Sequence, residues 1–167
     1  MEVSGEGIVD EALQVVGEAV ELLQVALGVG GQLRAAAVLA AGHDGYLKRY
    51  GLMHNRRLSL NKAGTALFGI DRLEPPSGRL RLKQDLPFAI HFHLHPDCTV
   101  EDGDDEESVR IQMANGKAFL FKAAGAEMFV EESLFFAESS GPRPGVQIVL
   151  RGATFGETEV RWSATQV

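Results

Sequence analysis

The sequence predicts an all-β chain folded as an antiparallel β-sandwich, and three observations lead there. Short apolar runs recur at intervals of about ten residues, the spacing of strands in a sandwich. Turn formers separate them: the chain holds 19 Gly and 6 Pro against one Trp and two Tyr. At 167 residues, 45% hydrophobic and 23% charged, it has the size and apolar content of one folded domain spanning residues 1–167.

The elements follow in order. Leu13, Val16, Val20, Leu23 and Leu27 recur at three- and four-residue steps, which fits an amphipathic helix. Gly17 interrupts that stretch, however, and Gly28-Val29-Gly30-Gly31 reads as a glycine hairpin, so strands are expected near residues 19–27 and 33–41. Residues 57–60 and 66–70 form a strand pair around Asn61-Lys62-Ala63-Gly64. Pro75-Pro76-Ser77-Gly78 then excludes a helix, since proline lacks a donor and restricts the residue before it. Residues 86–94 make the next strand, ended by Pro96, and the acidic run 101–107 is expected as a solvated loop before a strand at 109–114. Asn115-Gly116 predicts a type I′ hairpin that returns Phe119 and Phe121 on one face. Strands at 130–136, 147–150 and 160–163 complete the prediction.

Composition excludes several functions. One cysteine, Cys98, cannot form an internal disulfide or a Cys-based zinc finger. The acidic N-terminus is unlike a signal peptide, and no apolar run approaches the roughly 18 residues that span a bilayer, so neither export nor membrane insertion is expected. The net charge of −7 is unevenly spread: −5 over residues 1–42, +5 over 43–96 and −7 over 97–167. Overall acidity argues against nucleic acid, whereas the basic middle is compatible with an anionic ligand at one surface. The acidic run lacks the ligand order of an EF-hand.

Two clusters carry possible chemistry. In His91-Phe92-His93-Leu94-His95-Pro96-Asp97, strand alternation places His91, His93 and His95 on one face, where neutral imidazoles can ligate zinc; the alternative is histidines bonded to nearby carbonyls or standing on a solvated face. In the second, His43, Tyr46 and His54 are candidate catalytic groups, with Lys48, Arg49 and Arg56 positioned in sequence to bind a carboxylate or to favour ionisation of the Tyr46 hydroxyl. Its alternative is a Tyr packed at a strand end beside an Asp-Gly turn.

Six motifs in order resemble the C-terminal β-sandwich of heparinase II/III-like proteins: His43-Asp44-Gly45-Tyr46; His54 with Arg56-Arg57-Leu58; Gly69-Ile70-Asp71-Arg72-Leu73; Phe92-His93-Leu94-His95-Pro96-Asp97; Glu131-Glu132-Ser133; and Gln147-Ile148-Val149-Leu150. The resemblance runs from about residue 33 to 162, with residues 1–32 matching weakly. It implies a polysaccharide lyase lineage, in which an α/α toroid joined to the sandwich cleaves uronate-containing glycans such as heparan sulfate, another glycosaminoglycan or alginate by β-elimination. It also implies that the main catalytic Tyr and His lie in the toroid, that His43, Tyr46 and His54 face the interdomain cleft, and that His93 or His95, with His91, binds zinc. Members are often periplasmic. This chain has no room for a toroid and is expected to lack the His-Asn-Thr-like strand that opens the family's sandwich. The resemblance therefore implies a module inactive alone, partnered by an acidic polysaccharide or a separate toroid, or by a second copy through an exposed sheet edge. Two other readings are a small cupin-like metalloenzyme, weakened because no histidine follows position 95, and a plain interaction module.

Overall fold

A computed structural model describes residues 8–9, 37–77, 82, 84–103, 107–136 and 141–167. Within them the chain runs β1 (Ile8–Val9), β2 (Ala37–His43), α1 (Leu47–Tyr50), β3 (Met53–Leu60), β4 (Ala66–Glu74), β5 (Leu86–His93), β6 (Thr99–Asp102), β7 (Ser108–Gln112), β8 (Ala118–Ala124), β9 (Glu127–Phe135), β10 (Arg143–Thr154) and β11 (Thr158–Gln166). These form a seven-stranded sheet ordered β2-β3-β4-β11-β8-β7-β6 and a four-stranded sheet ordered β1-β5-β10-β9. Neighbours are antiparallel except β1, which lies parallel to β5. The all-β sandwich expected from turn spacing is the observed architecture.

Alternation dictates the two faces. On β3, His54, Arg56 and Leu58 are buried, and on β5 Phe88, Ile90 and Phe92 are, while the residues between them are more exposed. Phe92 of the small sheet meets Phe121 and Trp162 of the large one edge-on, at centroid distances of 5.1 and 4.9 Å, so an aromatic cluster joins the layers. Ile148, Leu150 and Val160 fill the remaining core.

Two glycines make room for aromatics lying flat across the ladder. A Cβ on Gly69 would stand 2.0 Å from Cε2 of Trp162, its register partner, and one on Gly152 would stand 2.5 Å from Cζ of Phe88, also its register partner. Only a residue without a side chain lets those rings pack directly on the opposing backbone.

Local differences from the sequence reading have simple causes. The β7–β8 turn is closed by Gly116 N–H donating to the Met113 carbonyl, and Gly116 takes φ 83° while Asn115 does not enter the positive-φ region. A type I′ turn needs positive φ at both central residues, so the expected turn is corrected to a longer one in which glycine alone takes the left-handed position. The β3–β4 turn repeats this, with Gly64 at φ 71° and the Asn61 side chain accepting from the Thr65 and Ala66 amides. The acidic run is in part strand: Glu101 and Asp102 belong to β6, where Glu101 pairs with Arg110. β10 extends through Pro144 and Gly145 because that stretch pairs with β9 before β5 joins at Gln147. The strand expected at residues 19–27 lies outside the described residues, and that at 33–41 is represented by β2.

Candidate functional site

The site lies at the β2–α1–β3 end of the large sheet. His43 ends β2, the Asp44-Gly45 turn leads into α1, and Gly51, left-handed at φ 72°, ends that four-residue helix by donating its N–H to the Leu47 carbonyl. The chain therefore returns at once as β3, in a register that pairs His43 with His54. Opposed residues of antiparallel strands share a face, so the inner face carries His43, His54 and Leu73 in one row and Ala41, Arg56, Asp71 and Val160 in the next.

Asp71 is the hub. It is 3% exposed, its Oδ1 accepts from His54 Nε2 at 2.8 Å and Arg56 Nε at 2.6 Å, and its Oδ2 accepts from Trp162 Nε1 at 2.7 Å. Burial pushes the Asp71 carboxyl up, but the His54 hydrogen bond, the Arg56 charge and hydrogen bond, and the Trp162 N–H outweigh it and hold the group below the usual carboxylate range. An ionised carboxylate only accepts, so His54 carries its proton on Nε2. At the other end, Gly45 N–H donates to His43 Nδ1 at 3.2 Å, placing the His43 proton on Nε2, which donates to His54 Nδ1 at 3.3 Å. The wiring thus assigns one tautomer to each ring: Gly45 to His43 to His54 to Asp71. All four imidazole nitrogens are engaged, and adding a proton to either ring breaks a link.

Tyr46 lies beside this chain, its ring edge-on to His43 at 4.9 Å. A narrow pocket between the sheets is lined by Tyr46, His54, Asp71, Phe88 and Thr158. His43 is exposed, Tyr46 half-buried and His54 buried, so the three candidate catalytic residues are gathered but reach solvent to different degrees. Lys48 and Arg49 stand exposed on α1, Arg49 over the Tyr50 ring at 5.3 Å. Arg56, grouped in sequence with Lys48 and Arg49, differs from them in being 5% exposed, set on Asp71 and over the Phe92 ring at 5.8 Å. Inward parity on β3 explains this, since Arg56 lies two residues from both His54 and Leu58.

Sequence reasoning assigned no role to Asp71 or Trp162. A signal was present: in residues 67–73, Leu67, Gly69, Asp71 and Leu73 share one face, which makes an acid at the third position inward-pointing and in need of a cation.

The second histidine cluster is elsewhere, on the outer face of the small sheet. His91 and His93 stack at 6.1 Å between centroids, His91 Nδ1 meets Gln147 Oε1 at 3.2 Å, and His93 Nδ1 meets Ser133 Oγ. Burial and the neighbouring His91 push the His93 imidazole below its usual range. His95 lies past the end of β5, its Nδ1 accepting from the Asp97 amide and its ring edge-on to Phe135 at 5.1 Å. The three rings keep separate partners, and among the described residues no three His, Cys, Asp or Glu side chains gather as a metal set. This arrangement does not fit one shared zinc. Cys98 is half-buried, and burial with the charge of Asp97 pushes its thiol up, away from nucleophilic character. No helix among the described residues is long and apolar enough to cross a membrane.

Comparison with known proteins adds family and fold. The family described as "Heparinase II/III-like, C-terminal" matches residues 24–163. FtsZ-localized protein C of Caulobacter vibrioides is 32% identical over 130 residues, which cover 74% of this chain and 22% of that protein. Among solved structures, the heparan sulfate lyase HepC from Pedobacter heparinus superposes with a TM-score of 0.63 at 14% identity, covering 81% of this chain and 20% of the lyase. The heparinase III BT4657 gene product gives a TM-score of 0.62 at 10% identity, covering 82% and 20%. The chain therefore spans about a fifth of the length of these relatives.

Proposed function

Because the chain belongs to the heparinase II/III-like, C-terminal family, we propose that it is the sandwich module of a lyase-related protein, facing an acidic glycan across a cleft whose other wall is an α/α toroid. The observation that carries this reading is the wired His43–His54–Asp71 chain beside Tyr46, with exposed Lys48 and Arg49 on the adjoining helix. β-Elimination needs a base with a lone pair aimed at the proton next to the uronate carboxylate, neutralisation of the enolate, and an acid for the leaving oxygen. Exposed His43 and the cations of α1 suit contact with a carboxylate. The imidazoles do not suit the role of base within this chain, because their four nitrogens are bonded to Gly45, to each other and to Asp71. The module positions groups that act only when a second wall supplies the base.

The test is to mix the chain with heparan sulfate, alginate and polyuronate and follow absorbance of the unsaturated product. No turnover is expected from the chain alone. Turnover that disappears in a His43→Ala variant overturns the assignment of module and makes this chain an enzyme in its own right.

A second reading is favoured by one observation: identity is 32% to the Caulobacter protein named for its localisation with FtsZ, against 14% and 10% to the two lyase structures. Here the module is part of a protein that associates with FtsZ. Pelleting polymerised Caulobacter FtsZ in its presence is expected to carry the chain down; a chain left wholly in the supernatant removes this reading.

A further inference from the structure

The outer face of β2, β3 and β4, on the side of the large sheet away from His54 and Asp71, holds a groove of about 400 Å³, within the range of small-molecule sites. Its floor is low because Ala40 and Gly42 alternate on β2, the edge strand of this sheet among the described residues. Gly42 is necessary to the shape: a Cβ there would stand 2.1 Å from Asn55 Oδ1. The Asn55 amide instead lies across the glycine and donates from Nδ2 to Glu74 Oε1 at 2.8 Å. Arg72 is held by Glu159 at 2.6 Å. Arg57, between Ala40 and Ile70 across the ladder, is exposed and makes no ion pair or side-chain hydrogen bond among the described residues.

These groups select a ligand class. An amide and a carboxylate side by side offer donors and acceptors to the hydroxyls of a sugar ring, and a guanidinium without an anion offers a planar fork to one carboxylate. Glu74 within the groove, and the neutralisation of Arg72 by Glu159, disfavour a densely charged strand such as nucleic acid or a polyphosphate. One uncompensated cation matches one carboxylate per sugar. Among the described residues no strand lies beyond β2, the strand along which the groove opens.

We infer that this groove is a second, non-catalytic subsite for an acidic glycan, seating one uronate with its carboxylate on Arg57 and its hydroxyls on Asn55 and Glu74. It rests on the glycan-facing reading above and adds to it a holding site on the opposite face of the sheet, which would retain the polymer while the His43 end meets another segment.

The experiment is titration calorimetry with backbone-amide NMR, using hexasaccharides of alginate and of hyaluronan as probes and neutral cellohexaose as the control. Amides of β2 and β3 around Gly42 and Arg57 are expected to shift with the acidic probes. Arg57→Ala should weaken their binding about tenfold, the order of one charge-assisted pair, with the thermal midpoint unchanged because Arg57 is exposed. Gly42→Ala should also weaken it by displacing Asn55. Binding that is unaltered in Arg57→Ala yet weakened by His43→Ala overturns the second subsite and leaves the module reading standing. Absence of binding to either acidic probe overturns both. Equal binding of cellohexaose overturns the role given to Arg57.

Discussion

Replacing Asp71 with alanine is expected to lower unfolding stability by about 3–5 kcal/mol, the cost of removing one partner from a buried ion pair, and to lower the thermal midpoint by roughly 10 °C in a chain of this size. The physical reason is the company Asp71 keeps. Arg56, at 5% exposure, would remain buried beside the Phe92 ring without the Asp71 carboxylate, and His54 Nε2 and Trp162 Nε1 would lose that acceptor. Asp71→Asn keeps the volume and one acceptor and should fall between alanine and the parent. The same hub predicts a pH dependence. The Asp71 pKa in the folded chain is depressed below its unfolded value, about 3.9, so its contribution is fully present above that value. It is lost as pH falls through the lower folded one. Urea unfolding between pH 7 and pH 3 should show the parent losing stability toward the acid end more steeply than Asp71→Asn. Parallel curves would show that Asp71 is not the group responsible.

The second large effect is expected at Trp162. Its indole contacts Phe92 at 4.9 Å and Phe121 at 5.9 Å between centroids, covers Gly69, and donates to Asp71. Trp162→Ala should cost about 3–5 kcal/mol, because Gly69 opposite offers no side chain to fill the void. Trp162→Phe retains much of the packing but removes the N–H, leaving Asp71 Oδ2 short of a donor; about 1–3 kcal/mol is expected. Chemical denaturation of both variants separates packing from hydrogen bonding. If the two cost the same, the hydrogen bond to Asp71 carries the effect rather than the aromatic cluster.

Much of this was legible in residue order. Asn61 to Gly64 and Asn115-Gly116 marked two hairpins, although the second reading took both central residues as left-handed when the backbone reserves that conformation for Gly116. His43, Tyr46 and His54 were grouped by nearness in sequence, but their approach in space comes from one helical turn and the register of the returning strand, neither of which the residue order announced. Arg56 was read by neighbourhood in sequence, as a cation for a carboxylate beside Lys48 and Arg49, with its burial left open. Parity alone would have put it inside, because His54, Arg56 and Leu58 alternate with exposed or half-buried residues. The histidines on β5 show the converse: alternation correctly put His91 and His93 on one face, while the partners each ring finds, Gln147 and Ser133, come from strands 56 and 40 residues away.

What the chain determines locally is the alternation of side chains, the turns that break it, and so a two-layer antiparallel stack with His91 and His93 on one face of a strand. These follow from backbone sterics and from removing apolar surface from water, which act over a few residues at a time. The tertiary structure alone decided that Asp71 would stand between His54, 17 residues before it, and Trp162, 91 residues after it. A buried carboxylate takes whichever donors the sheet register delivers, and register is settled only when distant strands pair and the core between them fills.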